Sequence, residues 1–155
     1  MGLKGTYMLI ILIGRSIRFK PGSLSETRLP PGCYVYVGSA MGQGGFEKRV
    51  ARHFRKIKKR RWHIDYLTSL NEAEVRSVFY TPHCSEHRLV SFLSSLGLHK
   101  TVKGFGATDS PRDFSHLLQS DQGFEKTLRR IRLEMRRRGL VFKLFSEEAL
   151  RNLFE

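Results

Sequence analysis

Cys33-Tyr34-Val35-Tyr36-Val37-Gly38 alternates along its length, with Cys33, Val35 and Val37 on one side of an extended strand and Tyr34 and Tyr36 on the other. Two phenols therefore emerge on a single face of a sheet. The chain then meets Gly42, Gly44 and Gly45, which do not favour a helix interior and mark a loop. Beyond the loop, Phe46, Val50, Phe54 and Ile57 recur at helical spacing. The other faces of this helix carry Lys48, Arg49, Arg52, Arg55, Lys56, Lys58, Lys59, Arg60 and Arg61, with no acid among them.

Upstream, residues 6–13 are continuously apolar and read as a strand buried on both faces. Gly14-Arg15 turns the chain into a short exposed strand over 16–20. Pro21-Gly22 turns it again, and residues 24–29 supply another edge element before Pro30-Pro31-Gly32. Downstream, a short helix is expected over 62–70 and a strand over 75–80. Thr81 is positioned to cap the next helix, with Pro82 first and Gly97 after its end, and Leu89, Phe92, Leu93 and Leu96 form its buried side. Residues 103–116 read as a glycine-containing loop. A basic helix over 124–138 aligns Leu128, Ile131 and Met135, and Ser146 caps a last helix with Glu147 and Glu148 in its first turn. The expected fold is α+β: a small, mostly antiparallel central sheet flanked by helices. Residues 1–120 form the main domain, and 121–155 a helical C-terminal appendage packed on it.

The 155 residues suffice for one domain with a real core, and an apolar share of 40% argues against disorder. A net charge of +14, from 28 basic and 14 acidic residues, sets up a field that attracts polyanions. A membrane surface is the competing target. No segment is long enough to span a bilayer, and anionic lipid binding usually needs a basic amphipathic anchor as well, so nucleic acid is favoured. Cys33 and Cys84 are the only cysteines, so no disulfide framework is expected and a cytoplasmic location suffices. Residues 8–13 are too short for a secretory signal core. Met1-Gly2 with Thr6 matches a myristoylation pattern that the strand's own need for these residues makes a chance match.

Gly5-Thr6-Tyr7 in the first strand, Tyr36-Val37-Gly38 in the second, the glycine turn, and Arg49 and His53 four apart on the helix together resemble the GIY-YIG nucleases. The chain is most similar to their small branch long catalogued as a domain of unknown function and sometimes called Uri-type endonucleases. Trp62-His63-Ile64-Asp65-Tyr66-Leu67 resembles a stretch of that branch. Gly104-Phe105-Gly106 with Asp109 and Ser115-His116-Leu117 resembles its closing segment, so the likeness covers roughly residues 5–117. It implies a metal-dependent endonuclease hydrolysing DNA phosphodiester bonds. Tyr7 would activate or orient water, Tyr36 would lie across the same pocket, and Arg49 would grip the scissile phosphate with His53 beside it. Gly38 would let the backbone turn toward substrate. Glu86 would hold one divalent ion, Mg²⁺ or Mn²⁺. Lys48, Arg52, Lys56, Lys58, Lys59, Arg60 and Arg61 would contact the nucleic acid, DNA rather than RNA.

The chain departs from the pattern in three places. Between Tyr7 and Tyr36 lie 28 residues, a longer spacing than in ordinary GIY-YIG nucleases, though the branch carries an inserted hairpin there. Arg88 stands where related sequences often have a second glutamate. Ser110 and Arg112 stand near where they have cysteines. A catalytically decayed nucleic-acid-binding module on the same fold is therefore the alternative. His83, Cys84 and His87 lack a fourth ligand at zinc-finger spacing. His63 and Asp65 could be an acid–base pair, although a structural role for Asp65 in capping or orienting a neighbour is favoured. Gly104-x-Gly106 lacks the strand and third glycine of a dinucleotide site.

Overall fold

The computed structural model describes residues 2–108 and 113–154. Asp109, Ser110 and Arg112 of the expected closing segment lie outside the described residues. Strand β1 (Thr6–Ile13) is the centre of a six-stranded, wholly antiparallel sheet. Its neighbours are β4 (Gly32–Ser39) and β5 (Ala73–Thr81). Outside them lie β7 (Leu117–Ser120) and β6 (His99–Lys100) on one side, and β8 (Lys143–Ser146) on the other. The inserted hairpin, β2 (Ile17–Phe19) with β3 (Thr27–Leu29), forms a separate two-stranded sheet. The fold is α+β, as the sequence suggests.

Strand alternation sorts the core into two layers. Tyr7, Leu9 and Ile11 of β1 join Tyr34 and Tyr36 of β4 on one face. They pack there against Phe46 and Val50 of α1 (Gly45–Phe54) and Ile64 and Leu67 of α2 (His63–Thr68). Met8 and Ile10 join Cys33, Val35 and Val37 on the opposite face. They pack against Leu89, Phe92 and Leu93 of α3 (Glu86–Ser95) and Ile131 and Met135 of α4 (Phe124–Arg137). Burial on both faces is why β1 reads as an unbroken apolar run.

Several boundaries differ from expectation. Thr81 does not cap a helix: it ends β5, and its hydroxyl meets the Thr6 hydroxyl across the sheet at 2.7 Å. Helix α3 starts later, where the Ser85 side chain accepts the backbone N–H of Arg88. Gly97, at φ +92°, ends it as expected, and the N–H groups of Gly97 and Leu98 return to the carbonyls of Ser94 and Leu93. Helix α1 stops at Phe54, and Ile57 lies beyond it, 95% exposed, rather than on the buried stripe. The short strands β6, β7 and β8 lack a period long enough to read. The segment after residue 120 contributes to the sheet, since β8 pairs with β5, and α5 (Glu147–Phe154) places Leu150 in the core.

Ile131 is fully buried between α4 and the sheet. Ile131→Ala is expected to cost about 2–4 kcal/mol of unfolding free energy by urea denaturation, with the denaturant slope unchanged. A loss under about 0.5 kcal/mol, the range of surface substitutions, would show that α4 does not complete the core.

Candidate active site

Tyr7, Tyr36, Arg49, His53 and Glu86 line one cleft of about 320 Å³, together with Arg61, Trp62, His63, Gly106 and Thr108. Strand alternation puts Tyr7 and Tyr36 on the same sheet face. Helix α1 crosses that face and brings Arg49 and His53 over the phenols one turn apart. Glu86 arrives from the other layer. As the first residue of α3, it stands at the sheet margin rather than within the Leu89/Leu93 stripe.

The Tyr7 hydroxyl and His53 Nε2 share a hydrogen bond of 2.7 Å, and both side chains are buried. Desolvation drives the His53 pKa down to about 3, with the nearby cation Lys58 adding to the effect. His53 is therefore neutral at physiological pH, and among the described residues its Nδ1 has no partner. Burial likewise raises the Tyr7 pKa, while the Arg49 guanidinium opposes it without prevailing. Tyr36, also raised by burial, packs edge-on against His53 and Phe105.

Gly38 has a role other than the expected turn. It faces Tyr7 across the β1–β4 pairing, and a Cβ there would lie 2.6 Å from both Cζ and the hydroxyl of Tyr7. The glycine makes room for the phenol. Its value is the seat it leaves for Tyr7.

Arg49 is held by Trp62, whose ring centroid lies 4.2 Å from the guanidinium carbon. Arg52 stacks on the same ring at 5.0 Å and donates to Asp65 Oδ2 at 2.9 Å. That carboxylate oxygen also accepts the N–H groups of Arg61 and Trp62, capping α2. Burial pushes the Asp65 carboxyl upward, but Arg52 and these two donors outweigh it and keep its pKa below the ordinary value. Asp65 is thus the structural cap, not the partner of His63, whose Nδ1 instead accepts the N–H of Gly106.

The basic cluster divides into spent and free charges. Lys56 donates to the carbonyls of Thr68, Leu70 and Ala73. Lys58 donates to the Arg52 carbonyl at the end of α1 and to the Thr68 hydroxyl, and desolvation lowers its pKa to about 8. Both tie α1 to α2, and Arg52 is committed to Asp65. Lys48, Lys59, Arg60 and Arg61 remain exposed, and Arg61 lines the cleft.

Behind Glu86 stands an arrangement the sequence did not suggest. His116 is fully buried, with Nδ1 3.0 Å from Glu86 Oε2 and Nε2 3.0 Å from Asp113 Oδ2. Asp113 also meets His87 Nδ1 at 2.6 Å. Burial alone would lower the His116 pKa, but the two flanking carboxylates raise it. Glu86 Oε1 has no hydrogen bond among the described residues, and the side chain is 30% exposed. No group of three His, Cys, Asp or Glu side chains among the described residues is arranged to hold a metal ion, which also removes His83, Cys84 and His87 as a zinc site. One free carboxylate oxygen in an open cleft suits a hard ion such as Mg²⁺, which keeps several waters and takes its other oxygens from a phosphate.

Residues 6–138 match the family described as "Domain of unknown function DUF123". The chain belongs to this family. The match extends past residue 117, so α4 is part of the family's domain and not an addition to it. No curated protein and no solved structure matches the chain. Among the described residues, no helix is long and apolar enough to cross a membrane.

Two outcomes follow from this geometry. Gly38→Ala is expected to displace the Tyr7 ring and cost about 1–3 kcal/mol, as overpacking does, read as a lowered Tm; an unchanged Tm would mean that the ring does not occupy this seat. His53 has a folded pKa near 3 against its ordinary 6.5, so the unfolded chain binds more protons between those values and stability falls as pH drops through that window. In His53→Gln, stability should fall less steeply over the same window; an identical pH profile would show that His53 is not held neutral.

Proposed function

We propose that the chain is a divalent-metal-dependent endonuclease of GIY-YIG type that hydrolyses DNA phosphodiester bonds in this cleft. The observation that carries the proposal is the gathering of Tyr7, Tyr36, Arg49, His53 and Glu86 around one cavity. They come from two strands and two helices spread over about half the chain. A purely structural role for each does not require them to meet.

Each residue then has a chemical task. The Arg49 guanidinium, braced by Trp62, presents a fork to the phosphoryl oxygens and orients the scissile group. Tyr7 is a poor base by itself, since burial keeps its proton on. Its bond to neutral His53 fixes the phenol instead: the hydroxyl donates to Nε2, which leaves the phenol oxygen's lone pairs to orient the attacking water. Tyr36 closes the opposite wall and is placed to bond a phosphoryl oxygen. A Mg²⁺ or Mn²⁺ ion held by Glu86 would supply Lewis-acid stabilisation of charge on the departing oxygen. His116 Nδ1 lies behind that carboxylate, 3.0 Å from Oε2.

The alternative of a decayed binding module rests on Arg88 and on the missing cysteines near Ser110 and Arg112, which lie outside the described residues. Arg88 is exposed and does not line the cleft, whereas Glu86 does. The substitution therefore falls outside the proposed chemistry.

Supercoiled plasmid incubated with Mg²⁺ or Mn²⁺ is expected to be nicked, and chelation should stop it. Arg49→Ala and Tyr7→Phe should each lower the rate by roughly 10²–10³-fold, the scale for loss of a transition-state contact. Arg88→Ala should leave the rate unchanged. Equal nicking by wild type and Arg49→Ala would place the activity elsewhere, and no nicking with either ion, under conditions where the protein binds DNA, would favour the binding module.

A further inference from the structure

Helix α4 turns its apolar side inward. Thr127, Ile131 and Met135 are buried, and Ile131 and Met135 pack with Met8, Ile10, Val35 and Val37 on the sheet face opposite the cleft. Its outer surface carries two parallel rows, Lys126, Arg130 and Arg137 in one and Arg129, Arg132 and Arg136 in the other. Each row is about two to three helical turns long, and all six side chains are exposed. These rows do not continue the cleft's charges along one surface, because the sheet and its core lie between.

The charges are largely uncommitted. Of the two acids on α4, Glu134 pairs with Arg137 and Arg138, and Glu125 lies in the first turn. Lys126, Arg129, Arg130 and Arg132 have no ion pair among the described residues. Like charges packed this closely on one helix repel each other, which destabilises the helix unless a polyanion neutralises them.

We propose that the outer face of α4 is a second nucleic-acid-binding surface, which contacts phosphates of a duplex segment distinct from the one in the cleft. Guanidinium forks in rows suit phosphate oxygens. The helix has no apolar side left to insert into a lipid surface, since that side completes the core. Leu133, 54% exposed, is the single apolar residue between the rows, too little for a protein-docking patch. The α4 surface stands on these observations alone; only the two-segment arrangement rests on the proposed cleft function.

The test is the binding stoichiometry of the full chain, with chelator present, on a duplex about one and a half helical turns long, too short to wrap around the molecule. Two duplexes per protein are expected. The triple variant Arg129→Gln/Arg130→Gln/Arg132→Gln keeps good helix formers on an exposed surface and should fold normally. It should bind one duplex, with the salt slope of the lost site falling by about one unit per phosphate contact removed. The cleft variant Arg49→Ala/Arg61→Gln should lose the other duplex. A triple variant with wild-type stoichiometry and salt slope overturns the proposal. So does a triple variant that loses binding to anionic phosphatidylserine vesicles while duplex binding stays intact, because the face would then be a membrane surface. Loss of all duplex binding in the triple variant alone, with the cleft variant unaffected, upholds the α4 surface and overturns the cleft reading instead.

Discussion

The pairing of Tyr7 with Gly38 across β1 and β4 is the constraint on which the site depends. Side chains alternate with a period of two, so a slip of one residue would send Tyr7 to the opposite core and put Thr6 or Met8 beneath α1. The hydrophobic content of β1 cannot by itself prevent that slip, because both faces are buried. Shape prevents it. The phenol ring needs a position without a Cβ on the neighbouring strand, and Gly38 is that position. Gly106 makes a comparable allowance beside Tyr36, where a Cβ would lie 3.1 Å from the ring.

Burial then sets the protonation states on which the proposed chemistry relies. The same desolvation that keeps Tyr7 protonated keeps His53 neutral, so the two meet as a donor and an acceptor and not as two ions. Cations surround the pair, and most of them are held in place by other groups. Lys58 and Lys56 close the junction between α1 and α2, Arg52 is fixed by Asp65, and Trp62 stacks on Arg52 and Arg49 together. Arg49 thus enters the cleft from a scaffold stabilised by its own neighbours, so the proposed phosphate contact would cost less side-chain entropy.

Three of the nine basic residues from Lys48 to Arg61, namely Arg52, Lys56 and Lys58, are therefore committed to contacts within the protein. Lysines with several carbonyl acceptors and arginines paired with buried carboxylates are fixed parts of the fold. Two clusters of exposed charge stand out, the mouth of the cleft and the outer rows of α4, with the sheet between them. The net charge of +14 is a balance over the whole chain and locates neither.

From the sequence alone came the α+β class, the buried strand, the face shared by Tyr34 and Tyr36, the helix bearing Arg49 and His53, and the apolar stripe of α4. Each follows from a local pattern, an unbroken apolar run or a period of two or 3.6, which needs no knowledge of the rest of the chain. Candidate residues Tyr7, Tyr36, Arg49, His53 and Glu86 were also legible, through a resemblance in their order and spacing. Tertiary structure decided the rest, because it depends on contacts between distant residues. That Gly38 clears space for Tyr7, that His63 accepts from Gly106, and that Lys56 and Lys58 are turned onto carbonyls are all facts of packing. The short outer strands β6, β7 and β8 are too short to carry a period and exist because a neighbour supplies their hydrogen bonds. His116 lies within 3.0 Å of both Glu86 and Asp113, residues 27 positions apart that no spacing rule connects.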